Sequence, residues 1–129
     1  MNGLGTNEMK RIWVITALIA LTICTEVKAD VRKGWATAYC LTGKTASGTI
    51  TTANRTVAGM RADFGKTVHI WLDDGDGEIK DENFIGTYVI EDTGGKPIRE
   101  GRVLDIYMPE YLDCKQFGGR RIIYIVEEG

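Results

Sequence analysis

The sequence is poor in the residues that usually announce a metal centre or a nucleic-acid interface. It has one histidine, His69, and its three cysteines, Cys24, Cys40 and Cys114, are scattered. No two of these sit at a zinc-ligand spacing, so a zinc motif is excluded. Basic residues are not in excess: 16 Lys and Arg stand against 18 Asp and Glu, a formal charge of −2. Beyond the N-terminal region the one two-arginine run is Arg120-Arg121, too little to track a phosphate backbone. No uncharged apolar run reaches the roughly 20 residues that cross a bilayer as a helix. Ser47 has no base near it in sequence, which leaves a serine nucleophile unsupported. The chain also lacks internal repeats and linker-like stretches, and 129 residues accommodate one domain rather than two. Hydrophobic residues at 43% and charged residues at 26% are an ordinary globular balance.

What is present begins with an export pattern. Met9-Lys10-Arg11 is a short basic patch, and Ile12 to Cys24 is uncharged and mostly apolar. Val27-Lys28-Ala29 then supplies the small-residue spacing that a signal peptidase cuts. A basic n-region, a short apolar h-region and a small-residue site together predict a secretory signal over residues 1–29. Ile23 stands where a lipoprotein signal has Gly or Ala, so Cys24 belongs to the discarded signal. The expected product is a secreted or cell-wall-associated domain over residues 30–129, free of the membrane after cleavage. Cys40 and Cys114 remain in it, as a disulfide or as two separate buried thiols.

In that domain short strands alternate with turn chemistry. Trp35–Leu41, Thr67–Leu72, Phe84–Glu91, Arg102–Met108 and Arg121–Val126 have the β-branched and aromatic content of strands, and Val57-Ala58 is a brief one. Thr42 to Asn54, rich in Thr, Ser and Gly, reads as a long loop, and Asp73–Gly77 as a turn. Pro109 opens a short helix through Phe117, stopped by Gly118-Gly119. Five or six strands and one short helix in about 100 residues predict an all-β fold. A closed small barrel hides its sheet edges; a small sandwich is the alternative.

Two carboxylates stand out. Glu91-Asp92-Thr93-Gly94-Gly95 ends a strand in acids and runs into glycines that let a ligand approach the main chain. The plainer possibility is a turn in which Asp92 bonds its own backbone. In Val103–Met108 strand alternation puts Leu104, Ile106 and Met108 on one face and Asp105 on the other, with Val103 and Tyr107. Apolar surroundings raise a carboxyl pKa, as a general acid at neutral pH requires. A solvent-facing Asp on an edge strand fits the same pattern. His69, between Val68 and Ile70, reads as a structural or surface residue. The acidic stretch from Asp73 to Glu82 fails the EF-hand template, because Ile79 falls where that loop needs glycine; it reads as a solvated hairpin tip.

Taken together, Ala36-Thr37-Ala38-Tyr39, Thr45-Ala46-Ser47-Gly48, Glu91–Gly95, Val103–Tyr107 and Phe117-Gly118 resemble the three-aspartate (3D) domain, in the family's order and over nearly all of residues 30–129. Members of that family are similar to the barrels of membrane-bound lytic transglycosylases and of stationary-phase muralytic proteins. The resemblance implies a small six-stranded double-psi β-barrel. It implies cleavage of peptidoglycan glycan strands between MurNAc and GlcNAc, with no metal and no cofactor. One carboxyl group protonates the leaving oxygen and then deprotonates the sugar's own 6-hydroxyl, unlike hydrolysis by two carboxylates. By position Asp105 is that acid/base, and Asp92 orients it or stabilises positive charge on the sugar. Tyr39, Thr45, Ser47, Thr93, Gly94 and Gly95 are the implied substrate-binding positions. One departure stands out: Val57-Ala58-Gly59-Met60 has Met60 where the family has its first aspartate, and Asp63 follows three residues later. The Asp92–Asp105 segment is also long, through Lys96–Glu100.

Two other classes fit parts of the sequence. A non-catalytic cell-wall glycan-binding barrel would keep Trp35, Tyr39 and Tyr107 as stacking surfaces without the chemistry. A dimeric aspartic protease would share one Asp-Thr-Gly per chain, but Glu91 precedes Asp92 where that motif has apolar residues.

Overall fold

The computed structural model describes residues 29–128. The export pattern of residues 1–28 lies outside them, and Ala29, its expected last residue, opens the first strand. Six strands are formed: β1 (Ala29–Tyr39), β2 (Thr56–Ala58), β3 (Thr67–Leu72), β4 (Phe84–Asp92), β5 (Val103–Tyr107) and β6 (Arg120–Glu127). They close into a barrel in the order β1-β5-β2-β4-β3-β6. The expected small six-stranded all-β barrel is the observed architecture. No helix of the described residues is long and apolar enough to cross a membrane.

Alternation along the strands makes the core. Ala36, Leu104, Ile106, Val57, Ile90, Val68, Ile70, Ile122, Tyr124 and Val126 face inward and pack as one cluster. They come from all six strands at every second position, the pattern of a sheet with one buried face. Gly34 permits a close approach at the β1–β5 seam: a Cβ there would stand 2.7 Å from the carbonyl oxygen of Arg102. Trp35 N–H donates to that same carbonyl at 3.0 Å.

Two pairs are parallel, β1 with β5 and β2 with β4; the remaining neighbours are antiparallel. Parallel neighbours cannot be joined by a hairpin. β5 lies between β1 and β2, and β2 lies between β4 and β5, so the chain crosses over at both of these connections. The first crossing is the Thr/Ser/Gly-rich loop, pinched by a bridge between Lys44 and Ile50. The second holds a one-turn helix, α1 (Lys96–Arg99), with Pro97 in its first turn. This corrects the expectation of a single helix, and it accounts for the long segment before Asp105. The helix expected from Pro109 begins at Tyr111 as α2 (Tyr111–Phe117) and ends at Gly118, whose φ is +62°.

Strand β1 starts six residues earlier than its sequence predicts. Asp30 and Arg32 make that stretch look like loop. The Arg32 guanidinium instead bonds Asp30 at 2.6 Å and the buried Asp63 at 2.8 Å, so its charge is paired where it is half-buried. Cys40 and Cys114 are both free thiols. The Cys114 thiol is pushed up first by desolvation and then by Cys40.

The barrel's dependence on its inward row is measurable. Ile70 is fully buried, and Ile70→Ala removes three carbons from a closed core. It is expected to lower the unfolding free energy by about 2–5 kcal/mol. The check is the midpoint of urea unfolding, with an unchanged slope.

Candidate active site

The register of the barrel sets four residues in one row across four neighbouring strands. Thr37 on β1 pairs with Asp105 on β5. Asp105 pairs with Ala58 on β2, and Ala58 pairs with Asp92 on β4. The last pairing depends on a shift of register between Val57 and Ala58. Val57 lies opposite Ile90, yet the next residue lies opposite Asp92 rather than Glu91. Strict alternation would turn Asp92 to the same side as Ile90, into the core. A bulge re-aims the side chain at such a point. Ala58 then places only a methyl group between the two acids.

Asp105 takes one hydrogen bond, from Thr37 Oγ1 at 2.8 Å. Its pKa is raised above the usual carboxylate value of 3.8, first by burial and also by the nearby Asp92 charge; the Thr37 bond works in the opposite direction. Asp92 is held from three segments. Its Oδ2 accepts from the Tyr39 hydroxyl at 2.9 Å, and its Oδ1 accepts from Ala46 N–H at 2.9 Å and Thr93 N–H at 3.0 Å. No Lys or Arg pairs with either acid among the described residues. The Tyr39 phenol is pushed well up, by burial first and then by Asp92, and Asp105 adds to the effect. The shared register row places both acids on one face of the sheet.

The first crossover loop closes over this row. Ser47 N–H donates to the Glu91 carbonyl at 3.1 Å, next to the bond from Ala46 to Asp92. Thr45 is buried, and its hydroxyl is shared with Ser47 at 3.3 Å and Thr49 at 2.8 Å. Thr45 therefore shapes the loop from within, whereas Ser47 is exposed on it. Tyr107 stacks at a tilt on Tyr39, with ring centroids 5.6 Å apart, and meets the Thr42 hydroxyl at 2.5 Å. Gly94 and Gly95 lead into α1, where a Cβ on Gly94 would stand 2.8 Å from Ile98 Cδ1. The Thr93 hydroxyl is buried and finds no partner among the described residues.

The structure thus gathers Asp92, Asp105, Tyr39, Thr93, Thr45 and Ser47 around one mouth of the barrel. Asp63 does not join them. It is buried against Arg32 and Lys66, and Arg32 alternates to the face of β1 opposite Thr37. Met60 packs against Gly101, with Sδ 3.0 Å from where a Cβ on that glycine would be. The position of the family's first aspartate is therefore an apolar contact here.

No protein-family model matches the sequence, and no curated protein matches it. Similarity is found among solved structures. A crystal structure of MltA from E. coli is 22% identical over 70% of this chain, with a TM-score of 0.46. A second MltA structure from Escherichia coli, described as a lytic transglycosylase fold, is 23% identical over 67% of this chain, again with a TM-score of 0.46. The chain spans 28% of the length of each.

Two neighbours of the acids, quoted in the sequence pattern, were given no role there. Thr37 holds Asp105, and the signal for it is its two-residue spacing from Tyr39 on one strand face. Glu91 is the buried support: it accepts from Thr56 Oγ1 at 2.9 Å and Arg55 Nε at 3.0 Å. Elsewhere, Asp73, Asp74 and Asp76 cluster in the loop after β3. Lys80 reaches Asp74 at 2.9 Å and Asp76 at 2.6 Å and supplies the positive charge there.

Two outcomes check this geometry. A folded-state carboxyl pKa above its unfolded value means that the native state holds the proton more tightly. The stabilisation from Asp105 is then complete below pH 3.8 and is lost as pH rises through the folded value. Urea unfolding across that range should show the wild type losing stability relative to Asp105→Asn. Separately, a buried hydroxyl without a partner costs about 1–3 kcal/mol. Thr93→Val is expected to gain about 1 kcal/mol on the same measurement.

Proposed function

We propose that the chain is a secreted peptidoglycan-cleaving enzyme of lytic transglycosylase type, acting on the MurNAc–GlcNAc bond. The observation that carries this reading is the pair of acids in one row: Asp105 is pushed up by burial and by Asp92, and among the described residues no Lys or Arg pairs with either. A carboxyl group raised in this way keeps its proton to higher pH than a free carboxylate, the direction that general-acid work requires. The residues that resemble the three-aspartate family support the substrate class.

In the proposed reaction Asp105 gives its proton to the oxygen between the two sugars. The bond from that oxygen to C1 of MurNAc breaks, and the GlcNAc end leaves as a free alcohol. The Asp105 carboxylate then takes the proton of the MurNAc 6-hydroxyl, whose oxygen bonds to C1 and closes the anhydro ring. The proton count balances and no water is consumed. Asp92, fixed by Tyr39, Ala46 and Thr93, faces the positive charge that develops on the sugar ring. A field held in place before the reaction needs no reorganisation during it. Tyr39, Ser47, Thr93, Gly94 and Gly95 border the groove in which the strand lies.

Met60 favours a second reading, a glycan-binding barrel without chemistry, because an apolar side chain replaces a carboxylate of the family pattern. One experiment separates the two. Purified protein is incubated with cell-wall sacculi, and the soluble products are weighed by mass spectrometry. The enzyme releases muropeptides lighter by one water, and Asp105→Asn reduces that release about 10²–10⁴-fold, the usual contribution of a general acid. Asp92→Asn lowers it as well. Sacculi left intact across a broad pH range, with protein bound to them, would establish the binding module instead.

A further inference from the structure

Strand β1 carries its outward side chains in one line. Lys33, Trp35, Thr37 and Tyr39 alternate with inward residues such as Ala36. Thr37 and Tyr39 hold the two acids, and Trp35 stands one pleat before Thr37, about 7 Å along the strand. Its indole is 47% exposed, uncommon for the largest apolar ring in a small domain. It lines a cleft of roughly 400 Å³ with Lys33, Asp73, Asp76 and Arg121, within the range of ligand sites. None of these belongs to the acid pair or its supports.

The cleft is built rather than incidental. Arg121 lies directly across from Trp35 on β6. Its guanidinium sits 5.3 Å from the ring centroid and fixes the orientation of the indole. The opposite wall is the 73–77 loop, in which Asp73 accepts from Gly75 N–H at 2.9 Å and Gly77 N–H at 3.0 Å. Gly77, at φ +75°, lets the Lys33 ammonium lie against that loop: a Cβ there would be 2.7 Å from Lys33 Nζ. Two cations and two carboxylates surround one aromatic face, so the lining has no net charge. A polyanion gains nothing from such a lining. A neutral ring with an apolar face and hydroxyls at its rim meets an aromatic platform and donors and acceptors of both kinds.

We infer that the cleft at Trp35 is a remote sugar subsite, which stacks one pyranose ring of the glycan strand whose scissile bond lies at Asp105. The inference rests on the reading that the groove takes such a strand. It gives the groove a direction, from the acid pair along β1 toward the loop after β3. Affinity should then rise with strand length until both places are filled, since a single ring cannot occupy both.

The test uses full-length Asp105→Asn protein, so that strands are not consumed, with and without Trp35→Ala or Trp35→Phe. The probes are peptide-free glycan strands fractionated by length, and affinity is read by titration. Trp35→Ala is expected to weaken binding of long strands at least tenfold. Trp35→Phe should retain most of the affinity, and near-ultraviolet circular dichroism should confirm unchanged packing. Long strands that bind Trp35→Ala as tightly as the parent overturn the subsite, even if the wild type releases anhydro products. Trp35-dependent binding without such products upholds the subsite and removes the reaction. Failure of every variant to bind any strand overturns both.

Discussion

The constraint on which the rest depends is the three-point grip on Asp92. Tyr39 comes from the end of β1, Ala46 from the first crossover loop and Thr93 from the start of the second. Each donates to one carboxylate, so three segments distant in sequence are fixed relative to one another at the barrel mouth. The same carboxylate is one of the charges that hold the proton on Asp105. A structural tie and an electrostatic bias thus share a single group. Loosening any donor would move the loop and change the acid together.

Behind this grip lie two buried charges that the core tolerates because each is paired. Glu91 takes Arg55 and the Thr56 hydroxyl, and Asp63 takes Arg32 and Lys66. Removing one partner of a buried pair leaves an uncompensated charge, which costs more than the pair contributes. These pairs therefore specify geometry more than they add stability. Glu91 anchors the end of β4 from which Asp92 projects, and Asp63 fastens the turn after β2 to the start of β1.

Much of the fold was legible wherever one strand face is apolar and the other polar. Strand β3 has the limits its sequence predicts, and Asp105 was conspicuous as a charge inside an apolar strand. The first half of β1 was not legible, because Arg32 is neutralised by Asp63, 31 residues away, and no local pattern contains that pairing. Helix α1 had a local sign in Pro97, which suits a first helical turn. The outward aim of Asp92 was beyond sequence, since it depends on a register shift against β2. The fate of Cys40 and Cys114 was equally closed, because only the packing of α2 on β1 makes them neighbours.

The register between β1 and β6 carries a geometric corollary. Ala29 lies opposite Glu127, so both ends of the barrel chain emerge at one pole. Tyr39 and the acid pair lie at the other end of β1, about 30 Å away at the usual rise of a strand. A tether, tag or neighbouring module joined at either end would trail behind the barrel and leave the mouth facing outward. Immobilising the protein by its termini should therefore present the groove to an insoluble polymer without obstruction.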